Sequence, residues 1–347
     1  MEKRIGRIAL VLVVMVCGLV AGWYLMSGPR KPQPLVLELD YGLRGYHSPF
    51  FVAIDKGYYS DEGLNVTVEV GTGSGNTIKS VQLGKADFGW ADISTLMLLR
   101  ANDPTMDVKA ISQTVQRHAL VCVYIDGRGI VKPSDLEGKK ISGGGAAELT
   151  TILIPGALTL MGVNPDTVQI VHSSGETKNV MLARGDVDAI FDLPWDPSTQ
   201  EAAENYGIPE EGVRYFRVSD YGLEAYMQAI VTSARMINEK ADVVRGFVRA
   251  SLKAYRYSME HPEEAVDILI KYHPEVPRDI AEYHIEAQMK DWVSPDVESH
   301  GLGYISRDMV NKTRTFVVQN FKPTGTVPAI DDIYTDEFWT SGIMPPS

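Results

Sequence analysis

Five short groups of residues in this 347-residue chain have the types and spacing to hold a small molecule: Asp40-Tyr41, Tyr46-His47-Ser48, Trp90 with Asp92, Gly143-Gly144-Gly145, and Asp192 with Trp195-Asp196. A carboxylate beside an aromatic face accepts hydrogen bonds from amino groups, and the ring stacks on a flat ligand or on a cation. Tyr46-His47-Ser48 leads into a predicted helix whose first N–H groups can hold an acceptor atom. The triple glycine lets backbone approach a ligand closely, but no Gly-Lys-Ser/Thr follows it, so it is not a Walker phosphate loop. Each group also has a plainer reading. Asp40 and His47 can cap a helix, Tyr41 and Trp90 can be packing, Trp195 and Asp196 can belong to a rigid loop after Pro194, and Arg117 and His118 can be surface charges. No catalytic residue is assigned, because no Ser-His-Asp arrangement stands out. His-rich metal spacing is likewise missing, so no metal and no cofactor are expected. The two cysteines, Cys17 and Cys122, exclude a disulfide framework, and Cys122 sits in the apolar run 119–123, which reads as core.

The elements that must position these groups alternate between short strands and helices. Residues 35–39, 65–70 and 88–91 read as strands, and 48–56 (ending at Gly57) and 77–83 as helices, a rhythm that predicts parallel βαβ units. The same order recurs about 99 residues later. Gly63-Leu64-Asn65 answers to Gly162-Val163-Asn164, and Val81, Leu83 and Asp87 answer to Val180, Leu182 and Asp186. Thr72-Gly73-Ser74-Gly75 and Ser173-Ser174-Gly175 occupy matching turns. Two similar α/β lobes follow, and beyond Ala229 the pattern turns helical, with apolar residues at helical spacing over 244–259 and a further helix from Pro262. In such sheets ligands sit beyond the carboxyl ends of the strands, and the five groups stand at those ends.

Composition narrows the function classes. Apolar residues make up 44% and charged residues 22%, ordinary globular usage, and the formal net charge of −12 argues against a nucleic-acid partner. Residues 1–34 hold five basic side chains against Glu2 alone. The remaining body therefore carries 28 basic and 44 acidic side chains, a charge of −16. Between them lie 19 uncharged residues, 8–26, after a basic flank. That length reaches the roughly 20 residues needed to span a bilayer, and the bulky exit Trp23-Tyr24-Leu25-Met26 suits an interfacial belt better than a peptidase site. The expectation is an uncleaved anchor, with a cleaved signal peptide as the alternative, and an exported body either way. Val16 is too large for a lipobox ahead of Cys17, and 28–34 forms a Pro-rich spacer.

The run Gly45-Tyr46-His47-Ser48-Pro49-Phe50-Phe51-Val52-Ala53, with Lys56-Gly57-Tyr58-Tyr59 and Glu62-Gly63-Leu64-Asn65-Val66, resembles the start of periplasmic solute-binding proteins of ABC importers. The branch is the one that handles nitrate, sulfonates, taurine and thiamine-precursor pyrimidines. Leu83-Gly84-Lys85-Ala86-Asp87-Phe88-Gly89, Lys132-Pro133-Ser134-Asp135-Leu136, Arg184-Gly185-Asp186-Val187-Asp188-Ala189, His261-Pro262-Glu263-Glu264-Ala265 and 331–338 extend the resemblance over essentially the whole body.

The resemblance implies the two-lobed periplasmic-binding-protein fold (type II): each lobe a mainly parallel sheet flanked by helices, joined by two crossover strands near 120–124 and 226–232. The expected organisation is 1–34 anchor and spacer, 35–124 plus 220–347 first lobe, and 125–219 second lobe. The implied function is capture of one small molecule by hinge closure and delivery to a permease and its ATPase, by a monomer on the outer face of the cytoplasmic membrane. Carboxylates beside aromatic faces favour a flat, nitrogen-containing heterocycle such as a thiamine-precursor pyrimidine. Alternatives are a nitrate, sulfonate or taurine ligand, a pyrimidine-synthase enzyme on the same fold, and an anchored sensor domain. The synthases carry a cysteine-rich motif with no counterpart here, so a non-enzyme is expected.

Overall fold

A computed structural model of the chain describes residues 32–175 and 177–346. The expected anchor at 8–26 lies outside the described residues, and among the described residues no helix is long and apolar enough to cross a membrane. From Pro34 onward the chain forms one compact unit.

Among the described residues, ten strands build two sheets. In the first, β1 (Gln33–Glu38), β2 (Leu64–Glu69), β3 (Phe88–Asp92), β4 (Val108–Gln113) and β10 (Gln228–Ser233) lie in the order β2-β1-β3-β10-β4. The second consists of β5 (Val121–Ile125), β6 (Lys140–Gly144), β7 (Gln169–His172), β8 (Ala189–Asp192) and β9 (Val213–Arg217), ordered β7-β6-β8-β5-β9. Position by position the two orders correspond. The first strand after each passage between sheets enters as the fourth strand, and the last strand before the next passage forms the fifth. The internal repeat read from the sequence is thus a structural one.

Both sheets are mixed rather than mainly parallel. β1 pairs with β3, and β6 with β7 and β8, in parallel, whereas β10 runs antiparallel to β3 and β4, and β5 antiparallel to β8 and β9. The reason is the path of the chain. A strand that enters from the other sheet arrives from the cleft side, whereas β1 and β3 run towards the cleft.

Side-chain pattern explains which strands lie deep. β3, β5, β8 and β10 are buried along their whole length, as expected for sheets covered on both faces. Leu35, Leu37 and Leu39 are buried at alternate positions through β1 and just past it, the period of a strand with one face to the core. The helix Ala241–Glu260 packs its face of Val244, Phe247, Val248, Leu252 and Tyr255 into the first-sheet core, where the Phe247 ring stacks on Phe88 at 3.8 Å.

Candidate functional site

The strand ends of the two sheets face one another across a cavity. Asp40 and Tyr41 reach it just past β1, Tyr46 from a 3-10 turn (Gly45–His47), and Gly73 and Ser74 from the opening of the helix Ser74–Gln82. From the other side come Glu148, Leu149 and Thr150, Lys178 and Asn179 of the helix Thr177–Arg184, and Asp192, Leu193 and Asp196 at and beyond the end of β8. The cavity holds about 50 Å³, well short of the roughly 300–1,000 Å³ usual for small-molecule sites, because the lobes stand close together. The walls are in contact. The main-chain N–H of Gly75 donates to the Ala147 carbonyl at 3.0 Å, and Arg44 approaches Asp196 at 3.6 Å.

Five of the sequence-predicted residues line this cavity: Asp40, Tyr41, Tyr46, Asp192 and Asp196. The others stand behind its wall or beside it. Trp90 is fully buried beneath Tyr46, with ring centroids 5.9 Å apart, and its indole N–H donates to Thr114 Oγ1 at 2.8 Å. Asp92 caps the helix Ile93–Asn102 by accepting from the Thr95 N–H at 2.6 Å. Its other oxygen lies 3.4 Å from His118 Nε2. His47 repeats that arrangement. The Arg44 N–H donates to Nδ1 at 3.1 Å, which places the proton of the neutral ring on Nε2, 3.5 Å from Asp40 Oδ1. Burial lowers the His47 pKa, and Asp40 pulls against it. Ser48 is buried in the first turn of its helix.

Gly143, Gly144 and Gly145 do not line the cavity; Gly144 and Gly145 seat Glu148, which does, and Gly143 packs on the backbone of Thr150 and Thr151. Gly144 has φ +101°, and a side chain there would strike the Glu148 carboxylate at 2.4 Å. The Gly145 N–H donates to Glu148 Oε1 at 2.8 Å. Trp195 is 2% exposed and faces a second, larger groove.

Sequence reading missed Ser74, Glu148, Thr150, Lys178 and Asn179. For Ser74 the signal was present, because the matching turns after the second strand of each repeat face the cleft. Glu148 follows the glycine run by three residues. Lys178 carried no signal, since a lysine in an amphipathic helix is ordinarily exposed.

Charge at the site is strongly organised. Lys178 donates to Asp192 Oδ1 at 3.0 Å with both side chains nearly buried, and Thr199 donates to the other oxygen at 3.2 Å. Burial raises the Asp192 pKa against the pull of Lys178. Glu148 is raised too, chiefly by burial, with the Gly145 hydrogen bond opposing. For Asp196, burial pushes upward, but Arg44 and the Ser198 hydrogen bonds outweigh it and its pKa is lowered. Gln228 Nε2 donates to Asp40 Oδ2 at 3.0 Å, while the buried Oδ1 faces His47 Nε2 at 3.5 Å. Lys178 is on Asp192 and Arg44 on Asp196, and the carboxylates of Asp40 and Glu148 share the cavity wall with Tyr41 and Tyr46.

Two lobes, each a five-stranded sheet flanked by helices, facing across a polar and aromatic cavity, define the periplasmic-binding-protein fold. The NMT1/THI5-like family model matches residues 44–265, more than half of the chain, and the chain belongs to that family. It is 24% identical over 250 residues to the formylaminopyrimidine-binding protein of Halalkalibacterium halodurans, covering 70% of this chain and 72% of that one. The riboflavin-binding protein RibY of Chloroflexus aurantiacus is 22% identical, with 89% and 87% covered. The 4-amino-5-hydroxymethyl-2-methylpyrimidine phosphate synthase of Aspergillus parasiticus is 26% identical, with 85% and 84% covered. Among solved structures, the alkanesulfonate-binding protein SsuA of Xanthomonas axonopodis, bound to MOPS, superposes with a TM-score of 0.65 at 14% identity, covering 88% of this chain and all of that one.

Proposed function

We propose that this chain is the solute-binding component of an ABC import system, held at the outer face of the cytoplasmic membrane by residues 8–26. It captures one flat, amino-bearing nitrogen heterocycle of the thiamine-precursor pyrimidine kind, and closure of the lobes presents the loaded form to a permease. The observation that carries this reading is the carboxylate-rich cavity that Tyr41 and Tyr46 line, with Asp40 and Glu148 on its wall as acceptors for ring-amino N–H groups. Two of the relatives named above are binding proteins, for a pyrimidine and for a flavin. Binding without turnover accounts for the site: the charged pairs hold one another in place, and Cys122 is buried in β5 with its thiol pKa pushed up by burial.

An anion is the second reading, favoured by the helix Ser74–Gln82 opening onto the cavity and by Lys178 on its far wall. Thermal-shift and calorimetric titration of the purified full-length chain separate the two. A 4-aminopyrimidine is expected to stabilise the protein, by about 2.7 kcal/mol when present at one hundred times its Kd, and to be recovered unchanged. The D40N variant should bind it at least tenfold more weakly, since a hydrogen bond to a charged group contributes about 1.5–3 kcal/mol. Stabilisation by nitrate or taurine alone would overturn the heterocycle reading.

A further inference from the structure

The loop that follows β8 divides two cavities. Leu193 and Asp196 line the cavity between the sheets, whereas Pro194 and Trp195, in the middle of the same loop, line a groove of about 840 Å³. That groove runs along both links between the sheets, with Gln116–Ala119 and Leu223–Tyr226 among its lining residues. Tyr46 faces the cavity, Trp195 faces the groove, and they meet edge to face with centroids 6.4 Å apart.

The Trp195 ring is buried without being anchored. Its indole N–H has no hydrogen-bond partner, whereas the indole N–H groups of Trp90 and Trp292 are held by Thr114 and Gln288. A buried indole usually finds such a partner, and leaving the donor unpaired favours rotamers that reach one. The loop on either side of the ring is fixed, by the Leu193 N–H on Asp192 and by the Ser198 N–H on Asp196. Of this stretch the indole alone is left untethered.

We propose that Trp195 is a specificity-determining partition that limits the ligand to a single ring, and that displacing it joins the cavity to the hinge groove and admits a ligand with a bulky second ring or tail. The ring-bearing head stays between Tyr41 and Tyr46, and the extension passes over the 193–196 loop into the groove. This rests on the heterocycle reading given above.

The test is calorimetric titration of the full-length protein with 4-amino-2-methylpyrimidines bearing methyl, benzyl or phenethyl at ring position 5. Wild type is expected to bind the methyl compound at least 100-fold more tightly than the phenethyl one. W195A should narrow that ratio at least tenfold, and W195L, which keeps more of the packing, should fall between them. Loss of packing alone weakens all three ligands alike and leaves the ratio unchanged. An unchanged ratio in folded W195A and W195L would overturn the partition while sparing the pyrimidine reading. Failure of wild type to bind any of the series would overturn both.

Discussion

His284 shows how far burial alone dominates a single residue. Its side chain is 2% exposed, neither ring nitrogen has a hydrogen-bond partner, and the ring lies edge-on to Tyr46 with centroids 5.7 Å apart. Burial lowers its pKa from 6.5 to about 4, against the opposing pull of Asp196. A depressed pKa means that the unfolded chain takes up the proton first. The stabilisation is therefore complete above about pH 6.5 and is lost as pH falls towards 4, an effect on the order of 3 kcal/mol. Buried His47 has the same sign. Asp192 and Glu148, raised by burial, act the other way at lower pH, favouring the folded state where they stay protonated. In H284F the loss of unfolding free energy between pH 7 and pH 4.5, measured by urea titration, should shrink by about 2–3 kcal/mol; parallel curves would refute the assignment. At this scale the sequence is legible where a residue stands at a strand end and is polar, as with Asp40 and Asp192. It is illegible at Trp90, because β3 is covered on both faces and its aromatic residue reads the same whether it faces a ligand or the core.

Among the elements, the turn that opens the helix Ser74–Gln82 decides how closely the sheets approach. Gly73 has φ +119°, and a Cβ there would lie 2.4 Å from the carbonyl oxygen of Ala147, while the neighbouring Gly75 N–H bonds that same oxygen. Alanine at 73 meets both an unfavourable backbone region and backbone in its way, a strain of about 1–3 kcal/mol. G73A is expected to bind ligand about tenfold or more weakly and to keep a larger radius of gyration by small-angle X-ray scattering at saturating ligand. Equal compaction of variant and wild type would show that the turn does not control closure. Element identity was legible from periodicity: the predicted helices at 48–56 and 77–83 are Ser48–Asp55 and Ser74–Gln82, and the predicted strands match to within a residue or two. Strand direction was not. β5 and β10 are short apolar runs with no local mark of whether their neighbours run with them or against them, and only the path between the sheets makes them antiparallel.

Over the whole molecule, the 99-residue recurrence was the most informative signal, because it reports a duplicated architecture that no single motif carries. The site was less legible than the fold. Its walls come from segments about a hundred residues apart, and pairings such as Arg44 with Asp196 exist only once both lobes have formed.

The order β2-β1-β3-β10-β4 has a consequence for the way this chain reaches its native state. β10 lies inside the first sheet, between β3 and β4, yet it follows the entire second sheet in sequence. Until residues 228–233 emerge, β3 and β4 are each left with an open edge of unpaired N–H and C=O groups, a template for pairing with another chain. The second sheet suffers no such delay, since its five strands lie within the continuous stretch 121–217. Pulse-labelled hydrogen exchange during refolding should show β5–β9 protected before β3 and β4, and simultaneous protection of the two sheets would refute that order. The half of the protein made first is therefore the half completed last, and a nascent chain halted before residue 228 exposes its most aggregation-prone surface.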